Sequence, residues 1–487
     1  LEARLVKIFA GVLEIDERSF GVNESFFDLG GHSLKATFLL NRMEKDLGIR
    51  IPLTEIFVNP TVKSLAFYFK DVSDGQRALS EDWGSRAADA LWKPAKTFDM
   101  KRYFPAAEKR EYYPLSFAQE RLYVLYQMEP GMTAYNLPAA LEIDGDIDYH
   151  GLETALNDLT ENHESLRTSF DMIMGKPVQR IHDRIETNVE RFNVNAGDLD
   201  AAVKAWIRPF DLSRPPLLRT ALLKEESGPA LLLLDIHHII ADGISLALLT
   251  TEFADLYAKS QTISARYVVQ YKEIQYKDYA LWQSGETWQA MMDKQEQWWL
   301  NRFSQPVPLL SLPLDFPRPL EQSFAGATLD FSLSSEETKE LNDLASQHDL
   351  TLFMVLLGIY NILLWKLSGQ QDIVVGTPVA GRNNEDLKDV VGMFVNTLPL
   401  RNELNPEEPV EAFLGSIKES TLEAFENQDY PFEALVDTIQ PVRDTGRNPL
   451  FDVLFSFHNM EKRQFELPGA VLREYHVENR SSQFDIT

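Results

Sequence analysis

The sequence predicts a small all-α bundle over residues 1–70, followed by a larger unit of mixed helices and strands, α/β in pattern, over residues 111–487. Three observations carry this expectation. Apolar residues in the first 70 positions recur at helical spacing. Downstream, short apolar runs of strand length alternate with stretches of helical length. The segment between, 71–110, holds no single period. A chain of 487 residues accommodates about three compact units at roughly 100–200 residues each.

Leu5, Ile8, Phe9, Val12 and Leu13 follow the i, i+3, i+4, i+7, i+8 pattern of one buried helix face. Gly30-Gly31-His32-Ser33 opens a second helical stretch running through Met43, punctuated by Gly48 and Pro52. Asn59-Pro60-Thr61 is a helix start, and Val62, Leu65, Ala66 and Phe69 are the face that follows. Residues 71–110, with Asp74-Gly75, Gly84-Ser85 and scattered charges, read as a linker in which Trp83 and Trp92 pack on a neighbour. Leu231 to Ile236 is a buried strand ending in a turn, and Leu246, Leu249, Phe253 and Leu256 mark the helix after it. Met354 to Leu367 is an apolar helix, and Asp372 to Gly376 another interior strand. The stretch from 111 onward is longer than one core usually covers.

Composition narrows the function classes. Hydrophobic residues are 44% and charged residues 25% of the chain, the balance of an ordinary globular protein. The net charge of -27 disfavours nucleic acid, whose affinity comes from neutralised phosphates, and disfavours anionic membrane surfaces as well. There are no cysteines, which removes disulfides, thiolate catalysis and cysteine metal sites and fits a reducing, cytoplasmic compartment. No apolar run approaches the ~20 residues of a spanning helix. The first residue is Leu1, no signal-peptide pattern follows it, and Phe484-Asp485-Ile486-Thr487 carries no helix stop. We expect a segment of a longer chain whose last domain is incomplete at its C-terminus.

Two patterns carry chemistry. Asp28-Leu29-Gly30-Gly31-His32-Ser33-Leu34 places a serine where a glycine loop becomes a helix. Glycines permit close backbone approach, and a helix N-terminus favours a phosphate through free N–H groups and its dipole. Ser33 is therefore either a plain N-cap or the attachment point of a phosphodiester. In Leu234-Asp235-Ile236-His237-His238-Ile239-Ile240-Ala241-Asp242-Gly243, a strand delivers two adjacent histidines into a turn. Neighbouring side chains on an extended segment point to opposite sides, so only one ring faces a cavity. Adjacent histidines with no glutamate nearby are poor zinc ligands, so no metal is expected.

The first pattern, with Phe26-Phe27, Pro52-Leu53, Ile56-Phe57 and Pro60-Thr61-Val62, closely resembles the phosphopantetheine attachment region of carrier domains. That resemblance implies a four-helix carrier whose Ser33 receives a covalent 4'-phosphopantetheine from a separate phosphopantetheinyl transferase, His32 being flanking surface. The second resembles the HHxxxDG motif of condensation domains of nonribosomal peptide synthetases, related to chloramphenicol acetyltransferase. Six further stretches match in the family's order: Ser116 to Leu122, Asn162 to Phe170 with Asn162 where arginine is common, Tyr276 to Trp282, Val391 to Thr397 with Arg401, Asn427 to Glu433, and Arg443 to Phe451 with Gly446 where serine is usual. The resemblance implies an α+β sandwich of two acetyltransferase-like subdomains, 111–280 and 281–487, in a V with a tunnel between them.

It also implies that His238 faces the reacting groups, in a reaction where an acceptor aminoacyl thioester's amine attacks a donor thioester. An α-amine pKa of about 7.7–8.0 leaves some amine neutral near pH 7, so orientation with late proton transfer suffices. His237 is the packing member of the pair. Asp242 either orients the histidine or, the preferred reading, forms a buried ion pair, with Arg167 as a candidate partner. Gly243 offers an N–H to an oxyanion or simply leaves room for a carrier arm. Rival readings are an epimerisation domain of the same fold, disfavoured by Leu246-Ala247-Leu248 after Ser245, and a silent carrier-docking platform. The implied partners are a downstream acceptor carrier, adenylation domains of neighbouring modules and the transferase. The carrier's upstream position makes it the donor side, and the motif variants resemble those of domains taking an L-configured donor.

Overall fold

The computed structural model of the protein describes all residues except 32, 49–50, 80–103, 105, 226–227, 262–271, 321, 440–445, 459–464 and 477–481. The first unit is helical. Helix α1 (Glu2–Leu13) buries Leu5, Ile8, Phe9 and Leu13 of its apolar repeat, with Val12 partly buried beside them. Helices α2 (Ser33–Leu47), α3 (Leu53–Val58) and α4 (Val62–Leu79) close around it. Phe9 meets Phe26 edge-on at 5.3 Å and Phe27 stacks on Phe57 at 4.7 Å, which draws the loop before α2 into the core. Helix α4 runs through Leu79, beyond the expected linker boundary at 70. Most of the expected linker, with Trp83 and Trp92, lies outside the described residues.

The second unit begins with β1 (Tyr113–Pro114), α5 (Phe117–Met128), β2 (Asn136–Gly145) and α6 (Tyr149–Asn162). Ser116 caps α5 in a reciprocal box with Gln119. Then come β3 (Thr168–Ile173), β4 (Lys176–Ile181), β5 (Val189–Val194), α7 (Leu199–Trp206), β6 (Leu218–Glu225) and β7 (Ala230–His237). Helices α8 (Gly243–Ser260), α9 (Tyr276–Gln283) and α10 (Glu286–Arg302) follow. The last third holds α11 (Ser335–Gln347), α12 (Leu352–Ser368), β8 (Asp372–Val379), β9 (Asn396–Glu403), α13 (Val410–Glu426), α14 (Phe432–Ile439), β10 (Phe465–Leu467) and β11 (Ala470–Glu474).

Among the described residues six strands form one sheet in the order β10-β11-β2-β7-β6-β5, antiparallel throughout except for the β5–β6 pair. Smaller sheets are β1-β4-β3 and β8-β9. Because the pairing is mainly antiparallel, the architecture is α+β rather than α/β in the strict sense. Strand β7 is central and covered on both faces: Leu232 and Ile236 join the core under α6 and α8, while Leu231 and Leu233 join the core under α7. That two-sided burial is why its sequence reads as an unbroken apolar run. Strands β10 and β11 belong to the last part of the chain yet extend the sheet through β2, so the boundary expected at 280/281 is crossed.

Helix α12 buries Met354, Val355, Leu357 and Leu364, and Gly358 admits Leu414 of α13, since a Cβ there would collide with that side chain. Among the described residues no single helix is long and apolar enough to cross a membrane. The helical unit rests on the second unit, with α3 against α13 and α2 against the turn at Glu385–Leu387.

Candidate functional site

The β2–β7 ladder puts His237 opposite Asn136, so His238 is the first residue beyond the sheet. Its backbone N–H donates to Tyr135 O at 2.8 Å, one last bond in the direction of the ladder. The chain then turns through His238–Ile240 and enters α8 at Gly243. The two histidines part ways there. His237 is buried, and its Nδ1 accepts the Ile239 N–H at 3.1 Å. Its ring meets Phe210 edge-on at 6.0 Å. Burial, with help from His238 and Arg219, pushes its pKa down to about 3, so it serves the turn as a neutral acceptor.

His238 is partly buried, less completely than His237. Burial lowers its pKa, opposed in part by its own carbonyl, by Asp242 and by the carbonyl of Ala241. The ring is thus held neutral near neutrality. Its Nδ1 is buried and makes no well-formed hydrogen bond. The charge of Arg121 also bears on it.

Asp242 caps α8 by accepting the Ser245 N–H at 2.7 Å. The same Oδ1 takes Arg382 Nη2 at 2.9 Å, and Oδ2 takes the Phe394 N–H at 3.1 Å. Both charged groups are buried, Asp242 at 1% and Arg382 at 0% exposure, which makes this an internal ion pair rather than a surface one. Arg382 also donates to Ser245 Oγ at 2.8 Å and to the carbonyls of Leu387 and Val390, with its guanidinium 4.1 Å from the Phe394 ring centre. Ser245 Oγ in turn donates to Gly392 O at 2.9 Å. The histidine turn is therefore bolted to the 382–394 segment.

Other matched stretches converge on the same bolt. Tyr276 bonds through its hydroxyl to Ser116 Oγ at 2.6 Å and to Met393 O, and a Cβ on Gly392 would overlap its ring. Gln119 donates to Ile239 O at 3.4 Å, within the histidine turn. Asn396 ties the carbonyls of Gln428 and Tyr430, both at 2.8 Å, to the start of β9.

Arg167 is not the partner of Asp242. It donates to His182 O at 2.6 Å and lies 3.8 Å from Glu164, on the short turn before β3. Arg382 holds the place instead, because its fork is engaged by Asp242, Ser245 and two carbonyls. Gly243 opens α8, is exposed and has open space where a Cβ would stand. Two clefts, of ≈ 520 Å³ and ≈ 620 Å³, are lined respectively by residues such as Tyr112, Glu120 and Val178 and by residues such as Glu252, Lys272 and Asp389. Neither is lined by the histidine pair. Among the described residues no cluster of His, Asp and Glu has metal-binding form.

The family described as the condensation domain matches residues 109–487, spanning the histidine turn, the Asp242–Arg382 bolt and every element that braces them. The chain belongs to the condensation-domain family. A second family, the phosphopantetheine attachment site, matches residues 3–69. The condensation domain and its carrier together are 41% identical over 489 residues to tyrocidine synthase 3 of Brevibacillus parabrevis, covering 100% of this chain and 7% of that protein. Gramicidin S synthase 2 of Brevibacillus brevis is 39% identical over 488 residues, again covering 100% of this chain and 10% of that protein. The chain thus spans only a small part of the length of these relatives. The fold also matches the X-domain bound to OxyB from teicoplanin biosynthesis, with a TM-score of 0.70 at 24% identity over 78% of this chain and 84% of that one. The first condensation domain of the CDA synthetase gives 0.61 at 20% identity over 78% and 89%.

The group covalently attached to such a carrier is 4'-phosphopantetheine, and the residues here fit it. Ser33 is the first residue of α2, where unbonded N–H groups point outward. Gly31 donates to Phe26 O at 2.8 Å and lies so close to the Phe26 ring that no Cβ has room. That loop lets the chain reach the helix start without a side chain in the way. His32 and the Ser33 side chain lie outside the described residues.

Sequence reasoning missed Arg382. It follows Ala380-Gly381 after β8 and carries no local signal, since its partner Asp242 lies 140 residues earlier. Tyr276 and Gln119 stood inside matched stretches, but their role as braces of the histidine turn needed the tertiary contacts.

Proposed function

We propose that this chain is the donor-carrier and condensation portion of a nonribosomal peptide synthetase, and that His238 serves the reacting amine. The carrier is a four-helix unit. The condensation domain is a V of two acetyltransferase-like halves, with a tunnel that brings donor and acceptor to the histidine from opposite sides. The single observation that carries the reading is the contrast between the histidines: one neutral, buried and bonded to the turn through Nδ1, the next partly buried with no hydrogen-bond partner at its Nδ1.

The 4'-phosphopantetheine on Ser33 supplies a flexible tether whose thiol holds the acyl group as a thioester. The protein's own residues do the remainder. The neutral ring has one nitrogen with a lone pair, which can accept an N–H from the incoming amine. Held neutral by burial, the imidazole orients that amine and takes its proton late, as the new amide forms and the departing sulfur needs a proton. His237 sets the turn through Ile239. Asp242 acts on His238 through the shape of the turn and the start of α8, held by Arg382, and is a positioning residue. Gly243 leaves its space open for the tether.

The reading requires an acceptor carrier, adenylation domains of neighbouring modules and a phosphopantetheinyl transferase, working in the cytoplasm on aminoacyl and peptidyl thioesters. The test is a condensation assay with loaded donor and acceptor carriers. His238→Ala should lower the rate by about 10²–10⁴-fold, the usual worth of a positioned acid–base group, while mass spectrometry still shows Ser33 modified. An unchanged rate would remove His238 from the chemistry.

A further inference from the structure

The carrier's second helix does not hang free. Arg42 and Lys45, one turn apart on α2, both reach Glu385 on the turn that follows β8. Arg42 engages Oε1, Lys45 Nζ lies 2.8 Å from Oε2, and Asn41 donates to Asn383 O beside them. Each carboxylate oxygen thus meets a carrier cation, with Lys388 of the second unit also 3.7 Å from Oε1, and Lys45 and Arg42 hold the Glu385 carboxyl below its ordinary pKa despite its partial burial. The carrier's α3 rests against α13 next to this contact. In a chain with net charge -27, a pair of cations converging on one anion is a specific local attraction against a repulsive background.

We infer that the turn at Asn383–Leu387 is a docking station for the chain's own carrier, and that Glu385 selects the carrier by clasping Arg42 and Lys45 of α2. The inference rests on reading residues 3–69 as a carrier, and it adds where that carrier parks and by what chemistry. Two features fit a station rather than a permanent joint. The ion pairs are partly solvent-exposed, 43% and 50% on the cation side, so each is weak and sensitive to salt. A carrier that must visit other active sites needs a contact of that kind. The station is also registered to the active site. Arg382, three residues before Glu385, holds the far end of the same turn through Leu387 O and holds Asp242 through its other nitrogen. The docking turn and the histidine turn therefore share one rigid brace.

A zero-length carbodiimide couples only amines and carboxylates in contact, and it can be applied to the intact chain. Peptide mass spectrometry of the monomer should find Lys45 joined to Glu385. The exposed pair Lys109–Asp183, at 2.7 Å within the condensation domain, is the control for folding and reactivity. Arg42→Glu should cut the Lys45–Glu385 link about tenfold, equivalent to ~1.4 kcal/mol in the contact equilibrium, although both coupling groups remain. Combining Arg42→Glu and Lys45→Glu with Glu385→Lys should restore a link between positions 45 and 385. No such link in the unaltered chain, or no restoration by the swap while the control persists, overturns the station. Neither outcome touches the condensation reading, because the coupling needs no amide synthesis; that reading stands or falls with the His238 assay.

Discussion

Asp242 and Arg382 are the residues on which the histidine turn depends. Taking one charge away leaves the other buried and unpaired, which costs about 3–5 kcal/mol, whereas replacing both by apolar residues costs less. Arg382→Leu should therefore destabilise the chain by that amount in guanidinium titration, and Asp242→Leu added to it should recover part of the loss. Additive losses would deny the pair. The pH dependence has a worked sign. His237 binds its proton only near pH 3 when folded but near 6.5 when unfolded, so acidification from 6.5 toward 3 favours the unfolded chain. Asp235 works the other way: burial pushes its pKa up to about 6 despite Arg219, so between 6 and about 3.8 its protonation favours the folded chain. Asp235→Asn should steepen the loss of stability across that window in unfolding titrations at stepped pH. The histidine turn and the aspartate that caps α8 were legible because each sits in a short local pattern. Arg167 was chosen for lying in a matched stretch, and its fork proved to be spent on His182 and Glu164.

Elements are joined here by close approaches that glycine permits. Gly392 gives its N–H to Ser245 at 3.0 Å, and the Tyr276 ring occupies the place of its missing side chain. That ring cannot retreat, because its hydroxyl is held by Ser116 and Met393. Gly392→Ala should cost about 1–3 kcal/mol as overpacking and lower the condensation rate by shifting α8 against the histidine turn. Normal melting and normal rate together would show that the contact is slack. Helix and strand identities were readable in the sequence where burial is one-sided or complete, as in α1, β7 and α12. The α4 boundary was not, since no proline or glycine stop coincides with residue 70, and the helix runs to Leu79.

Across the whole molecule, the sheet ignores the order of the chain. Strand β11 pairs with β2 from Ala470↔Gly145 to Glu474↔Leu141, so the last quarter of the chain edges the sheet that carries His237. The two halves should consequently lose structure together. Leu472 is 2% exposed in the core shared with Ile236 and Leu256. Leu472→Ala should cost about 2–5 kcal/mol and speed amide exchange in β2 as well as β11. Exchange confined to β11 would mean that the strand is an independent flap.

The amino-acid sequence by itself determined the order of units, the carrier loop ending at Ser33, the histidine turn and the aspartate that caps the helix after it. Each of these is written within about ten neighbouring residues, where periodicity, capping and turn chemistry act. Only the tertiary structure decided that Arg382 rather than Arg167 neutralises Asp242, that β10 and β11 return to the first sheet, and that the carrier's cations meet Glu385. Those facts are settled by which buried charges and strand edges find partners when distant segments pack, and desolvation enforces that outcome without leaving a local trace in the chain.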